Sequence, residues 1–392
     1  MLRPYGEFMS RALVLGAAGA ICREASRDLA SFSSFDEIVL ADGDLAAVER
    51  LQAELASPRV RIRPFDADNA EVLAKSIGGF DVVVNGLPYR YDMAVTHACV
   101  EAGVHGLDLS TTQEQFDFDE EARRRGVVFV PGVGATPGVT NLLVARAVRE
   151  LDQVEEVDIA FAAFRCLAPA PGLLTTTLWE FNPDEPARQR VYYEDGEMRP
   201  AAPLSGELEV DFGGGIGRQL AYLVPHPETT TLPRSYPGVR RVAVRGCFAP
   251  QVMRIMSALF EAGLLSGRRL HVKGSDFDAL ELIHALLLDS PTSRENETWG
   301  YGLVVRVMGV RAGRAAIYRA RTQHPPQDRW GGAAAYAKNV GIPLAVGADL
   351  IGRGETLGHG VLPPERAYSP DRFLEEIARR GIAVVDRWEE AP

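Results

Sequence analysis

The chain has 392 residues, 46% hydrophobic and 24% charged, enough to bury a large core and, at this length, to form two domains. A net charge of -11, with Lys and Arg interspersed among acids, argues against nucleic-acid or anionic-membrane partners. No apolar run approaches the roughly 20 residues needed to span a bilayer.

Met1 to Ser10 has neither a hydrophobic core nor a cleavage site, so a cytoplasmic location is expected. Four cysteines, Cys22, Cys99, Cys166 and Cys247, lie about 70 to 80 residues apart, which fits neither a metal knuckle nor a disulfide framework. The histidines have no metal-ligand spacing either, and no metal is expected.

Arg11 to Leu15 is a short apolar run that reaches Gly16-Ala17-Ala18-Gly19, and an Ala-rich helical stretch follows to Leu29. Strands are next expected at Glu37 to Ala41, Val60 to Pro64, Asp81 to Asn85, His105 to Leu109 and Val127 to Pro131, with helical stretches between them. Six strands alternating with helices predict a parallel sheet covered on both faces, for which a Rossmann-type arrangement is the simplest solution.

After the helical stretch Gly138 to Glu150 the texture changes. Glu156 to Arg165, Thr175 to Glu180, Arg188 to Glu194 and Leu208 to Asp211 read as strands punctuated by Pro and Gly. Val239 to Gly246, Arg269 to Lys273 and a hairpin at Trp299 to Val310 and Arg314 to Arg321 continue them, with helices at Pro250 to Glu261 and Asp276 to Leu288. Gly331 to Leu350 reads as a helix interrupted at Gly341 to Pro343, and Pro370 to Arg380 as a terminal helix. The expected fold is α/β: a doubly wound dinucleotide-binding domain over residues 1–137, and an α+β substrate and dimerisation domain on a mainly antiparallel sheet over 138–329. Residues 330–392 are expected to return to the first domain.

Gly16 permits a tight turn and Gly19 a close backbone approach, so that the N–H groups of Ala18, Gly19, Ala20 and Ile21 can face a pyrophosphate at the helix start. The spacing departs from G-x-G-x-x-G, with Cys22 at the third small-residue position. Asp42 ends the second strand, where a carboxylate accepts both adenosine ribose hydroxyls and repels the 2′-phosphate of NADP, so NAD is favoured. Asp-Gly-Asp is also good turn chemistry by itself.

Three stretches, VLGAAGAICREASRDLA, VVVNGLPYRYDMAVTHACVEAGVHGLDLS and PGVGATPGVTNLLVARAVREL, resemble the saccharopine dehydrogenase family, nearest to its lysine 6-dehydrogenase branch. PHPETTTLPRSYPGVRRVAVRG and GIPLAVGADLIGRGETLGHGVLPPE extend the resemblance in order along nearly the whole chain. It implies a nicotinamide cofactor and either oxidation of an amine to an imine or the reverse reduction. Relatives act on lysine, saccharopine or polyamine-like amines.

Ligands of such sheets lie beyond the carboxyl ends of the strands, which selects the loops at Gly86 to Tyr91, Asp108 to Thr112 and Gly132 to Gly138. Gly86, Leu87 and Pro88 are expected to cover the dinucleotide, with Gly134 and Pro137 contributing from the third loop, and Tyr89 or Tyr91 to meet substrate. Asp108 is a candidate for handling the amine's proton, because hydride leaves the adjacent carbon only once the nitrogen is neutral. His226 and Glu228 place an imidazole and a carboxylate on one Pro-constrained turn, and Arg240 or Arg241 could grip a substrate carboxylate. Each of these positions also has a structural reading, as a strand cap, a helix cap or a solvated charge. A reductase joining an amine to a carbonyl compound, and a dinucleotide-binding sensor without turnover, stand beside the dehydrogenase. A homodimer is expected from the sheet's need for cover.

Overall fold

Short runs of Val, Ile and Leu between turn residues become fully buried parallel strands, because helices on both faces leave them no solvent side. In the computed structural model, which describes residues 9–68, 70–184, 191–295 and 299–390, these are β1 (Arg11–Leu15), β2 (Glu37–Asp42), β3 (Val60–Pro64), β4 (Val82–Asn85), β5 (His105–Asp108) and β6 (Val128–Val130). A two-residue strand, β17 (Gly360–Val361), joins them. The order is β17-β6-β5-β4-β1-β2-β3, with every pairing parallel. The chain winds outward in both directions from β1 and β4, so the loops after these two strands diverge and open a crevice at the switch point.

This sheet belongs to a unit that runs to Gly134 and resumes over Val340–Glu376. The resumption is a helix, Ala334–Gly352, which continues through Pro343 where a break was expected. Within the unit its Gly341 meets the helix Ala20–Phe32: a Cβ there would lie 2.7 Å from the Ile21 carbonyl oxygen and 2.9 Å from the Ala25 nitrogen. Only a glycine permits that backbone approach.

The second unit comprises Ala135–Asn339 and the chain from Ile377. Its nine-stranded sheet contains β7 (Gln153–Phe164), β8 (Val191–Glu194), β9 (Glu197–Pro200), β10 (Leu208–Asp211), β11 (Arg218–Leu223), β12 (Arg241–Phe248), β15 (Gly300–Arg311), β16 (Arg314–Gln323) and β18 (Ala383–Glu390). The path is β10-β11-β12-β7-β15-β16-β18, with β8 on β12 and β9 on β8; β13 (Arg269–Val272) and β14 (Ser275–Asp278) form a separate hairpin. Among the described residues of this sheet, only β12 and β7 pair in parallel. The two faces differ: on β15, Leu303, Val305 and Val307 are buried, while Val304, Arg306 and Met308 are partly open.

Other elements differ from expectation as well. Thr175–Glu180 lies in a helix, Pro171–Glu180, rather than a strand. β18 pairs with β16, so the end of the tail adds to the second sheet instead of the first unit. Of the strand expected at 188–194, residues 188–190 lie outside the described residues, and β8 accounts for the remainder.

Candidate functional site

The glycine turn after β1 is built against the loop after β4. Gly16 has φ of 70°, and a Cβ on it would lie 2.7 Å from the Gly86 carbonyl oxygen. Its N–H donates to the Ala41 carbonyl at 2.9 Å, which ties the turn to the end of β2. Gly19 is the N-cap of the helix Ala20–Phe32 and brings no side-chain acceptor, so the first-turn donors of Ala20 and Ile21 stay available to an anion. Asp42 accepts the Ala18 N–H on Oδ2 and the Asp44 N–H on Oδ1, both at 2.9 Å. It therefore shapes the turn besides lying where a ribose is expected.

Cys22 fills the space that a third glycine would leave. It is buried, and a Cβ on Gly86 would lie only 1.9 Å from its Sγ, so the missing glycine of one loop is matched by a glycine in the other. Burial, with the Asp42 charge adding to it, pushes the Cys22 thiol up to about 12.

Beyond β4, Leu87 and Tyr91 pack on the apolar core, and the Tyr91 hydroxyl donates to Asp68. Pro88 is exposed, and so is Tyr89, at 63%. Asp108 is buried at the end of β5, where Oδ1 accepts the Gly132 N–H at 3.0 Å and Oδ2 the Gln115 amide at 2.7 Å. Its carbonyl takes the Val133 N–H at 2.7 Å. Gly134 is buried where the first unit ends.

In the second unit, Glu228 starts the helix Glu228–Ser235 and is completely buried. Its Oε2 takes the Nδ1 proton of His226 at 2.6 Å, and its Oε1 accepts the hydroxyls of Thr136 at 2.5 Å and Thr140 at 2.7 Å. Thr136 precedes Pro137 through a cis peptide, and the Gly138 N–H donates to Asn141 Oδ1 at 2.9 Å at the head of the next helix. Burial opposes charge on both members of the pair. The mutual attraction and the threonine donors outweigh it, holding Glu228 below and His226 above their ordinary values. The result is an imidazole whose Nδ1 is committed and whose Nε2 can take or give a proton.

Around this pair the structure gathers residues that sequence reasoning missed. Phe161 lies 5.4 Å from His226 and stacks on Tyr301 at 6.1 Å, and Tyr301 meets Tyr336 at 5.4 Å. Burial, then the charges of Tyr336, Glu180 and Glu228, raise the Tyr301 hydroxyl far above its usual range. Arg165 is buried between the rings of Phe248 and Tyr336, each 5.2 Å from its guanidinium carbon. It donates to the carbonyls of Cys166, Leu167 and Leu173 and to the Thr177 hydroxyl. The one available signal was an arginine directly following the apolar run Ile159–Phe164 at the end of β7.

Arg240 and Arg241 are not brought to His226. Arg240 is 58% exposed in its side chain, 3.8 Å from Glu156. Arg241 shares Asp158 with Arg245 and Arg306, all at 3.0 to 3.1 Å, on the face of β7 opposite Phe161. That pairing leaves neither arginine aimed at the histidine.

The saccharopine dehydrogenase NADP-binding domain matches residues 12–130 and the saccharopine dehydrogenase C-terminal domain residues 134–382. A carboxyaminopropylagmatine dehydrogenase of Synechocystis is 25% identical over 95% of this chain and 96% of its own. A carboxynorspermidine synthase of Vibrio cholerae is 25% identical over 94% and 95%. Two solved structures share the fold: saccharopine dehydrogenase (L-Glu forming) of Saccharomyces cerevisiae, with a TM-score of 0.70 and 15% identity over 97% of this chain and 100% of that one, and homospermidine synthase of Legionella pneumophila in complex with NAD, with a TM-score of 0.64 and 13% identity over 98% and 92%. With both family domains matched in order from Ala12 to Ile382, the chain belongs to the saccharopine dehydrogenase family.

Proposed function

We propose that this protein interconverts a carboxylated amine and its imine, with the His226–Glu228 pair moving the proton at nitrogen. The observation that carries this reading is the buried pair itself: a carboxylate with three donors, one of them an imidazole whose second nitrogen has no hydrogen-bond partner among the described residues. In the oxidative direction, Nε2 of His226 accepts the substrate nitrogen's proton, leaving the lone pair that expels hydride from the adjacent carbon. Glu228 holds the imidazolium thus formed and fixes the ring's orientation. In the reductive direction the imidazolium returns that proton to nitrogen. Water then hydrolyses the imine, or the amine is retained, according to direction.

A nicotinamide dinucleotide, when bound, supplies the hydride acceptor or donor. The residues present fit one: Gly16 has no room for a Cβ against Gly86, the helix start at Gly19 is uncapped, and Asp42 stands at the end of β2. The Asp42 carboxylate favours NAD over NADP by repelling a 2′-phosphate. The names of the curated relatives, one a carboxyaminopropylagmatine dehydrogenase and one a carboxynorspermidine synthase, support a carboxylated, polyamine-like substrate and leave both directions in play. The four cysteines, all free and buried, support a reducing compartment such as the cytoplasm. The open face of the second sheet, with a groove of about 650 Å³ lined by both arginines and acids, supports a homodimer.

The test is NADH and NADPH formation by the purified protein at alkaline pH across lysine, ornithine, diamines and their N-carboxyalkyl conjugates, with the reductive reaction run on the matching amine and carbonyl pairs. Turnover with a conjugate, lost in His226→Asn, is the expected result. Dinucleotide binding without turnover in either direction on any of these would overturn the reading.

A further inference from the structure

Arginine is almost never fully buried unless an opposite charge meets it, because taking the guanidinium out of water alone is costly. Arg165 is 2% exposed, and among the described residues no carboxylate pairs with it. Its two terminal nitrogens donate to neutral acceptors, the Cys166, Leu167 and Leu173 carbonyls at 3.0 to 3.2 Å and the Thr177 hydroxyl at 2.6 Å. The remaining donor, Nε–H, is buried with no hydrogen-bond partner. Arg245, buried in the same unit, shows the contrasting arrangement, its charge met by Asp158 at 3.0 Å. The dipoles around Arg165 fix the plane of its guanidinium and leave its net charge unanswered.

The same side chain belongs to the aromatic wall at His226. Phe248 and Tyr336 flank the guanidinium, each at 5.2 Å; Phe248 meets Phe161 edge-on at 6.3 Å, and Phe161 lies 5.4 Å from the imidazole. By a second path Tyr336 meets Tyr301, which stacks on Phe161. Imidazole and guanidinium therefore stand at the two ends of one apolar wall. At one end a nitrogen can take or give a proton; at the other a cation has no counter-charge. Small-molecule sites have this composition, mostly aromatic and aliphatic surface with a few placed polar groups. Phe161, Phe248 and Tyr301 are buried while Tyr336 is half-buried, so the approach to the guanidinium is past Tyr336.

We propose that Arg165 binds the carboxylate of the substrate, with Nε–H donating the hydrogen bond, and that the rings between it and His226 carry the aliphatic chain joining carboxylate to reacting nitrogen. The inference rests on the carboxylated-amine reading above and names the residue that recognises the carboxylate. Arg240 and Arg241, expected from sequence to do this, are turned to Glu156 and Asp158 instead. One free donor suits a carboxylate, whereas a phosphate dianion would keep oxygens without donors in an apolar surrounding. Because the carbonyls hold the guanidinium before the substrate arrives, little side-chain freedom is lost on binding.

The experiment is calorimetric titration of the full chain, saturated with NADH so that no hydride can leave the amine, with the N-carboxypropyl conjugate of putrescine and with its primary carboxamide, which keeps the size and removes the charge. Wild type should bind the carboxylate about 10- to 100-fold more tightly than the carboxamide, the range of one charge-assisted hydrogen bond. Arg165→Gln should abolish that preference, and Arg165→Lys, the milder change, should reduce it. Thr177→Val, which removes one acceptor of the guanidinium and no charge, should leave the ratio of the two affinities unchanged. A role confined to packing would weaken both ligands alike and keep the ratio in every variant. No preference in wild type, or a preference undiminished in the Arg165 variants, would overturn the proposal. The ratio is read without turnover: His226-dependent oxidation of the conjugate beside an Arg165-independent ratio sinks this inference alone, and an Arg165-dependent ratio without turnover in either direction sinks the proton-transfer reading alone.

Discussion

Gly86 and Cys22 form an interlock that can be broken and repaired. Gly86→Ala places a methyl 1.9 Å from Cys22 Sγ, far inside contact distance, with the Leu15 carbonyl oxygen 3.1 Å away on its other side. The thiol is buried on the helix Ala20–Phe32, so overpacking costs about 1–3 kcal/mol. Cys22→Ala alone removes one buried sulfur and costs about 1 kcal/mol. In the double variant the collision is gone and the new methyl meets the remaining Cβ at the ordinary distance of 3.4 Å. The double variant should therefore be more stable than Gly86→Ala alone, with a coupling energy of about 1–3 kcal/mol. Urea melts of all four proteins measure this, and NAD titrations should follow the same order because the Gly86 carbonyl lies under Gly16. A double variant no more stable than Gly86→Ala would refute the interlock and place the strain at Leu15.

Asp42→Ala removes the acceptor of two backbone donors and should weaken NAD binding by about tenfold or more, read by calorimetry; unchanged affinity would reduce Asp42 to a turn residue. Glu228→Gln leaves His226 with only the Glu180 charge against burial, so its pKa falls and the acid limb of the pH–rate profile for amine oxidation should move to lower pH. The same pair gives a sign for stability. The raised His226 contributes fully below its unfolded value near 6.5 and less as pH rises through its folded value, while the lowered Glu228 contributes above about 4.5 and less as pH falls through its folded value. Melting temperatures of wild type and Glu228→Gln should differ most between these limits. Asp158→Asn deprives Arg241, Arg245 and Arg306 of their common carboxylate and should cost about 2 kcal/mol in a urea melt, less than a fully buried pair because Arg306 is partly solvated.

The strand, glycine turn and helix at Arg11 to Phe32 were legible because local chemistry dictates them: an apolar run, a glycine free to take positive φ, and an uncapped helix start. Asp42 was legible for the same reason, lying at the end of the next apolar run. His226 and Glu228 stand two residues apart, so their pairing could be read as a possibility from sequence. The Thr136 and Thr140 hydroxyls that complete the site lie 92 and 88 residues from Glu228, and only packing within the second unit brings them together. The Thr175–Glu180 segment looked like a strand by β-propensity, but Arg165 binds the Leu173 carbonyl and the Thr177 hydroxyl and holds it helical. β18 carries the charged alternation of an edge, which single-sequence patterning reads as solvated chain until β16 offers it a partner. The sequence by itself determined the dinucleotide fold and the positions of the candidate acids and bases, because strand, turn and helix chemistry is local. Which threonines meet the buried Glu228 and which arginines are neutralised on the opposite sheet face were decided by the tertiary structure, because desolvation and charge coupling act between residues that meet only after folding.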